Sequence, residues 1–139
     1  MSRKPPRRIH HIDVVVADLD RAVKRYRKVL GVEPLPRESL SSRGVELVRF
    51  RVGETWLILV QPTRADSPVA AFLERNGEGF FHMAIEVDDV EAAAGQLTAM
   101  GVRLMNDTPR TGVEGWKLVD VDIEETSGAM VQLVEVREV

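Results

Sequence analysis

Of the three histidines in the sequence, His10, His11 and His82, two sit in matching surroundings. His11 opens His-Ile-Asp-Val-Val-Val-Ala-Asp, and His82 opens His-Met-Ala-Ile-Glu-Val-Asp-Asp. Aligned on these histidines, Val14 meets Ile85, Val16 meets Val87, Asp18 meets Asp89, Asp20 meets Glu91 and Ala22 meets Ala93. A pseudo-twofold axis relating two such segments brings the imidazoles together, and paired neutral imidazoles are a beginning for a divalent-metal site. The competing reading is two hydrogen-bonded core histidines, and the duplication tips the balance toward a metal or catalytic role. His10 has the opposite strand parity and is assigned to structure.

The elements that must position these residues follow from periodicity. Ile9 to Ala17 is valine-rich and ends at an acidic turn, which predicts a strand. Asp18 then caps a helix whose apolar residues Leu19, Ala22, Val23, Tyr26 and Leu30 recur at helical spacing, with Gly31 as its stop. The second half repeats this: Phe80 to Val87 is a strand, Asp89 the cap, Val90, Ala93, Ala94, Leu97 and Met100 the buried stripe, and Gly101 the stop. Strands are expected near Glu33 to Ser39, Val45 to Val52 and Thr55 to Gln61, then near Val102 to Asp107, Trp116 to Val121 and Ala129 to Val136. The order βαβββ therefore occurs twice. It predicts an α+β fold in which two modules in pseudo-twofold repeat form a curved eight-stranded cavity. The expected divisions are a basic flexible arm at 1–8, modules at 9–61 and 80–139, and a linker at 62–79 with a helix from Pro68 to about Asn76 capped by Ser67. Arg3, Lys4, Arg7 and Arg8 supply the charge of the arm.

In each strand the purely apolar alternate set belongs beneath the helices. Those sets are Ile12, Val14 and Val16; Val48, Phe50 and Val52; Leu57 and Leu59; Met83, Ile85 and Val87; and Val131 and Leu133. The opposite face then carries His11, Asp13, Arg49, Arg51, His82, Glu86 and Gln132, with Leu47, Ile58 and Val60 among them. Burying such polar groups unpaired is costly, so a ligand-lined or solvated cavity is the economical reading. Arg49 and Arg51 suit the carboxylate or phosphate of an acidic ligand, and Glu86 is assigned with them to substrate binding. The bland alternative pairs the arginines with Glu46 or Asp13.

Composition narrows the classes. A chain of 139 residues, 44% hydrophobic and 29% charged, is large enough to bury a core without disulfide or metal. Its net charge of −3 argues against a nucleic-acid partner. The absence of cysteine excludes thiolate metal sites and Cys nucleophiles and is compatible with a reducing, cytoplasmic setting. The apolar run from Trp56 to Val60 is far too short to span a bilayer, and no signal peptide or membrane partner is expected.

Several segments carry a family likeness: Ile9-His10-His11-Ile12, Asp66-Ser67-Pro68-Val69-Ala70-Ala71-Phe72-Leu73, Gly77-Glu78-Gly79-Phe80-Phe81-His82-Met83-Ala84, Glu86-Val87-Asp88-Asp89-Val90 and Gly101-Val102-Arg103-Leu104. They resemble the vicinal oxygen chelate superfamily of glyoxalases, extradiol dioxygenases and bleomycin-resistance proteins, and within it the methylmalonyl-CoA epimerases. The resemblance implies a divalent metal held by His on strand one, Gln or Glu on strand four, His on strand five and Glu on strand eight. Those places hold His11, Ile58, His82 and Gln132. The aliphatic Ile58 cannot ligate, and Gln132 offers a neutral amide oxygen in place of a carboxylate. The acidic residue before the Gly-Val of strand three is also missing, since Ser41-Ser42-Arg43 precede Gly44-Val45.

The expectation is an epimerase-like enzyme moving a proton α to a carbonyl of an acyl-CoA or related acidic small molecule, its catalytic residues Asp13, His11 and His82. Its metal, cobalt, nickel, zinc, manganese or iron, is held by His11, His82 and Gln132 and is weakly bound or absent. The alternatives are a metal-free small-molecule binder or acid–base enzyme, and a lyase- or dioxygenase-like iron site. The resemblance further implies a homodimer.

Overall fold

The computed structural model describes residues 4–106 and 108–136. Arg3 of the basic arm and Asp107 at the end of the expected sixth strand lie outside the described residues. The chain divides into two compact units, residues 11–81 and a second unit made of the residues up to His10 together with those from His82 onward.

The first unit holds most of β1 (Arg8–Val15), then α1 (Leu19–Leu30), β2 (Glu38–Leu40), β3 (Val45–Val52), β4 (Thr55–Pro62) and α2 (Pro68–Asn76). Its strands run in the order β2-β3-β4-β1, with β4 parallel to β1 and antiparallel to β3. Asp18 caps α1 by accepting from the Arg21 amide, and Gly31 ends it in a left-handed conformation at φ 71°, which a side chain would resist. Under α1 lie Val14, Val16, Val48, Phe50 and Leu59, the set that parity assigns there. Val52, expected in that set, stands 46% exposed at the far end of β3. The second strand is much shorter than expected because Pro34 and Pro36 have no amide to give a ladder.

The second unit holds β5 (Gly79–Glu86) from His82 onward, α3 (Val90–Ala99), β6 (Arg110–Thr111), β7 (Lys117–Asp120) and β8 (Val131–Glu135). Here the order is β5-β8-β7-β6. Asp89 caps α3 by accepting from the Ala92 amide, and Val119, Val121 and Leu133 pack beneath the helix with Ile85 and Val87 alongside. The expected strand from Val102 reduces to one bridge, Leu104 to Val121. Asn106 explains the loss, because its side-chain oxygen takes the Asp120 amide that a neighbouring strand would otherwise use.

The repeat extends to a detail absent from local patterning. The first amide of α1, on Leu19, donates to Gln61 at 2.7 Å, and the first amide of α3, on Val90, donates to Glu135 at 3.1 Å. Each helix start, rich in unsatisfied donors, is thus tied to the last strand of its own unit. Among the described residues no helix is long and apolar enough to cross a membrane.

These contacts set a ranking. Phe50→Ala, which empties a fully buried site beneath α1, should cost about 3–5 kcal/mol, whereas Asp18→Ala, which removes a cap, should cost about 1 kcal/mol. Urea unfolding of the two variants checks the order; equal losses would contradict it.

Candidate active site

The open face of the first unit is organised in cross-strand rows. His11 pairs with Trp56, which pairs with Arg51; Asp13 pairs with Ile58, which pairs with Arg49. A third row joins Val15, Val60 and Leu47, all buried. His11 is 3% exposed and its Nε2 lies 3.9 Å from Asp13 Oδ1. Asp13 therefore stands beside the buried Ile58, the position where the family resemblance calls for a ligand.

The two arginines expected to meet an anion differ. Arg49 is buried, and its guanidinium forks onto Glu38, Nε at 2.8 Å and Nη2 at 3.1 Å. Glu38 is a partner that strand parity does not suggest. Arg51 is exposed. Both guanidinium carbons lie over the Trp56 ring, at 4.9 Å for Arg49 and 4.7 Å for Arg51, a cation–π arrangement.

In the second unit His82 and Glu86 lie on β5 and Gln132 on β8. Glu86 is buried, with Arg8 Nε at 2.6 Å and Arg7 Nη1 at 3.7 Å; Arg7 and Lys4 also pair with Asp88. His10 is 2% exposed and meets Trp116 edge-on at 4.5 Å, a packing role consistent with its parity. Gln132 is 3% exposed, its Nε2 donates to Asp120 Oδ1 at 2.7 Å, and its buried Oε1 has no hydrogen-bond partner among the described residues.

Asp120 and Arg110 are not among the site residues expected from the sequence. Arg110 Nε donates to Asp120 Oδ2 at 3.0 Å and Nη2 to Oδ1 at 3.3 Å. Burial pushes the Asp120 carboxyl up, but the Arg110 hydrogen bond and charge, the Gln132 amide and the His82 imidazole together hold it below its ordinary 3.8. The signal lies in parity: Val119 and Val121 are the apolar set of their strand, which puts Asp120 on the face of Gln132.

Two measurements test these assignments. Arg49→Met should lower unfolding stability by roughly 1.5–3 kcal/mol, the range for hydrogen bonds to charged groups, and part of the loss should return when Glu38 is also changed to Gln. For Asp120, a depressed folded pKa means that its stabilisation is complete above the unfolded value near 3.8 and is lost as pH falls through the lower folded value. The stability difference between the unaltered protein and Asp120→Asn should thus stay constant from neutral pH to about 5 and shrink below about 4.

Comparison with known proteins gives these features a context. Residues 10–119 match the sequence profile of the Glyoxalase/Bleomycin resistance protein/Dioxygenase superfamily. The mitochondrial methylmalonyl-CoA epimerase of Mus musculus is 33% identical over 127 residues, covering 91% of this chain and 71% of that protein. An ethylmalonyl-CoA/methylmalonyl-CoA epimerase of Cereibacter sphaeroides is 30% identical over 131 residues, covering 93% of this chain and 98% of the relative. A solved structure of a Streptomyces coelicolor methylmalonyl-CoA epimerase variant, in complex with 2-nitronate-propionyl-CoA, superposes with a TM-score of 0.90 at 34% identity, over 97% of this chain and 98% of that one. The α+β repeat is thus the fold of the epimerase structures, and the chain belongs to the glyoxalase, bleomycin-resistance and dioxygenase superfamily, also called the vicinal oxygen chelate superfamily.

Proposed function

We propose that the protein moves a proton at the carbon α to the thioester carbonyl of an acyl-CoA, with Asp13 as the base and with a divalent cation taken, as the family resemblance implies, by His11, His82 and Gln132. The observation that carries this reading is the pairing of Asp13 with Ile58, which sets a carboxylate beside the strand-four position that has lost its ligand. Similarity to epimerases of CoA thioesters over nearly the whole chain supports the substrate class.

The donor set fits a cation. Two imidazoles with an amide oxygen suit cobalt, nickel, zinc, manganese or iron, and Gln132 Oε1 is a buried acceptor without a hydrogen-bond partner among the described residues. When bound, such an ion supplies positive charge to an enolate oxygen. Asp13 takes the α proton on its carboxylate, with the His11 imidazole alongside at 3.9 Å. Ile58, Val60 and Val15 keep water from the sheet beside it. Arg51, exposed and braced on Trp56, serves the phosphates of the CoA, since a guanidinium fork matches phosphate oxygens.

Epimerisation needs proton transfer on both faces of the α carbon. Glu86, the other carboxylate expected on this face, is held by Arg8 and Arg7. A single base returns the proton to the face it came from, so exchange with solvent outruns inversion. Methylmalonyl-CoA incubated in heavy water with Co2+ should gain α-deuterium faster than it loses optical activity. Asp13→Asn should slow that exchange by about 100-fold or more while leaving Co2+ binding intact, and His82→Ala should abolish both. No deuterium above the protein-free control would overturn the reading.

A second reading, a metal-free small-molecule binder, draws on Ile58 itself, which is 3% exposed at a place where the resemblance implies a ligand. Metal analysis of protein purified without chelators separates the two, since stoichiometric metal excludes the second.

A further inference from the structure

We infer that Asp120 is a positioning residue: it fixes the rotation of the Gln132 amide so that the amide oxygen is presented to a divalent cation. The inference rests on the cation-binding part of the proposed function and concerns residues of the second unit alone. Asp120 and Gln132 are directly opposed in the antiparallel pair of β7 with β8, so their side chains share a face.

An arginine has only donors, and Arg110 directs two of them at Asp120, at 3.0 and 3.3 Å. A carboxylate so held is ionised and accepts only, so the amide of Gln132 can meet it only through its NH2 group. Nε2 does so at 2.7 Å. That bond decides where the oxygen goes. Turned away from Asp120, Oε1 is buried without a hydrogen-bond partner among the described residues, an arrangement that is unfavourable unless something else supplies the missing charge or proton. The backbone that carries Asp120 is held as well. Asn106 Oδ1 accepts from the Asp120 amide at 2.7 Å, while Asn106 Nδ2 donates to the carbonyls of Thr108 at 2.9 Å and Leu118 at 3.2 Å.

The chain Arg110, Asp120, Gln132 also acts electrically. An amide that donates to an anion carries more electron density on its oxygen, as an imidazole does in a carboxylate–histidine–metal arrangement. Gln132 replaces the carboxylate implied by the family resemblance, and Asp120 restores part of its charge from one strand away.

Titration of metal-free protein with Co2+, followed by visible absorption, tests this, with thermal unfolding of the metal-free variants as a control for folding. Asp120→Asn should weaken Co2+ binding by about 10- to 100-fold, the usual effect of losing a partner behind a ligand, because an asparagine can donate to the Gln132 oxygen and let the amide turn. Gln132→Glu alone should also bind weakly, since it sets two carboxylates in contact. The double variant Asp120→Asn with Gln132→Glu should bind more tightly than either single one, as the new amide then donates to the new carboxylate. A purely structural role for Asp120 would lower thermal stability without this rescue. Unchanged Co2+ affinity in Asp120→Asn overturns the inference while leaving the cation site standing. Failure of the unaltered protein to bind Co2+ overturns the cation site and the inference with it. If Asp120→Asn does not fold, the comparison of Gln132→Glu with the double variant decides, and tighter binding by the single one is the contrary result.

Discussion

The alternation of side chains across a β-strand is the constraint on which the rest of this molecule depends. One face of each unit's sheet is closed by a helix, α1 over Val14, Val48, Phe50 and Leu59, and α3 over Val119, Val121 and Leu133. His11, Asp13, Arg49 and Arg51 in the first unit, and His82, Glu86 and Gln132 in the second, are therefore carried on the other face. A shift of one residue in β1 would bury Asp13 under α1 and turn Val14 out, so the register of β1 against β4 is enforced by the core and not by the site. Chemistry here occupies positions that packing leaves over.

Each helix is in turn held where it can close its sheet. The caps Asp18 and Asp89 satisfy one amide of the first turn, and Gln61 and Glu135 reach from the ends of β4 and β8 to satisfy the amide of the first helical residue. An acceptor at a helix N-terminus answers both the unmet N–H and the positive end of the helix dipole. These bonds join the helix start to the strand carrying a site position, Ile58 on β4 and Gln132 on β8, so scaffold and site share backbone segments.

Most of this was legible in the sequence because it depends on periods of two and 3.6 residues, which are local. The duplication from His11 and His82, both long helices with their N-caps, the linker helix from Pro68 to Asn76 and the covered Val48, Phe50 and Leu59 follow from such patterns, whereas Val52 and Met100, expected in covered sets, stand exposed near the ends of their elements. What escaped depends on partners that no local pattern names. Parity puts Arg49 on the open face, yet its ion pair is with Glu38, eleven residues away across a neighbouring strand. Asn106 is an ordinary loop residue in sequence, and only the fold shows that it interrupts a ladder by taking the Asp120 amide. Asp120 was accessible to the same parity argument as Gln132, but its weight comes from Arg110, ten residues earlier on an adjoining strand.

The departures from the family pattern share one geometry. Where the resemblance calls for a strand-four ligand there is Ile58, and directly across from it stands Asp13. Where it calls for a strand-eight carboxylate there is Gln132, and directly across from it stands Asp120. In each unit the acidic group has been moved sideways by one strand, about 5 Å. Coulomb attraction falls only as the inverse of distance, whereas coordination demands contact, so such a move keeps much of the negative potential while giving up a bond. The consequence in each unit is that negative charge is retained nearby while the position that the resemblance gives to a ligand holds a neutral side chain. Asp13 is thereby set beside an aliphatic side chain, and Asp120 against an amide.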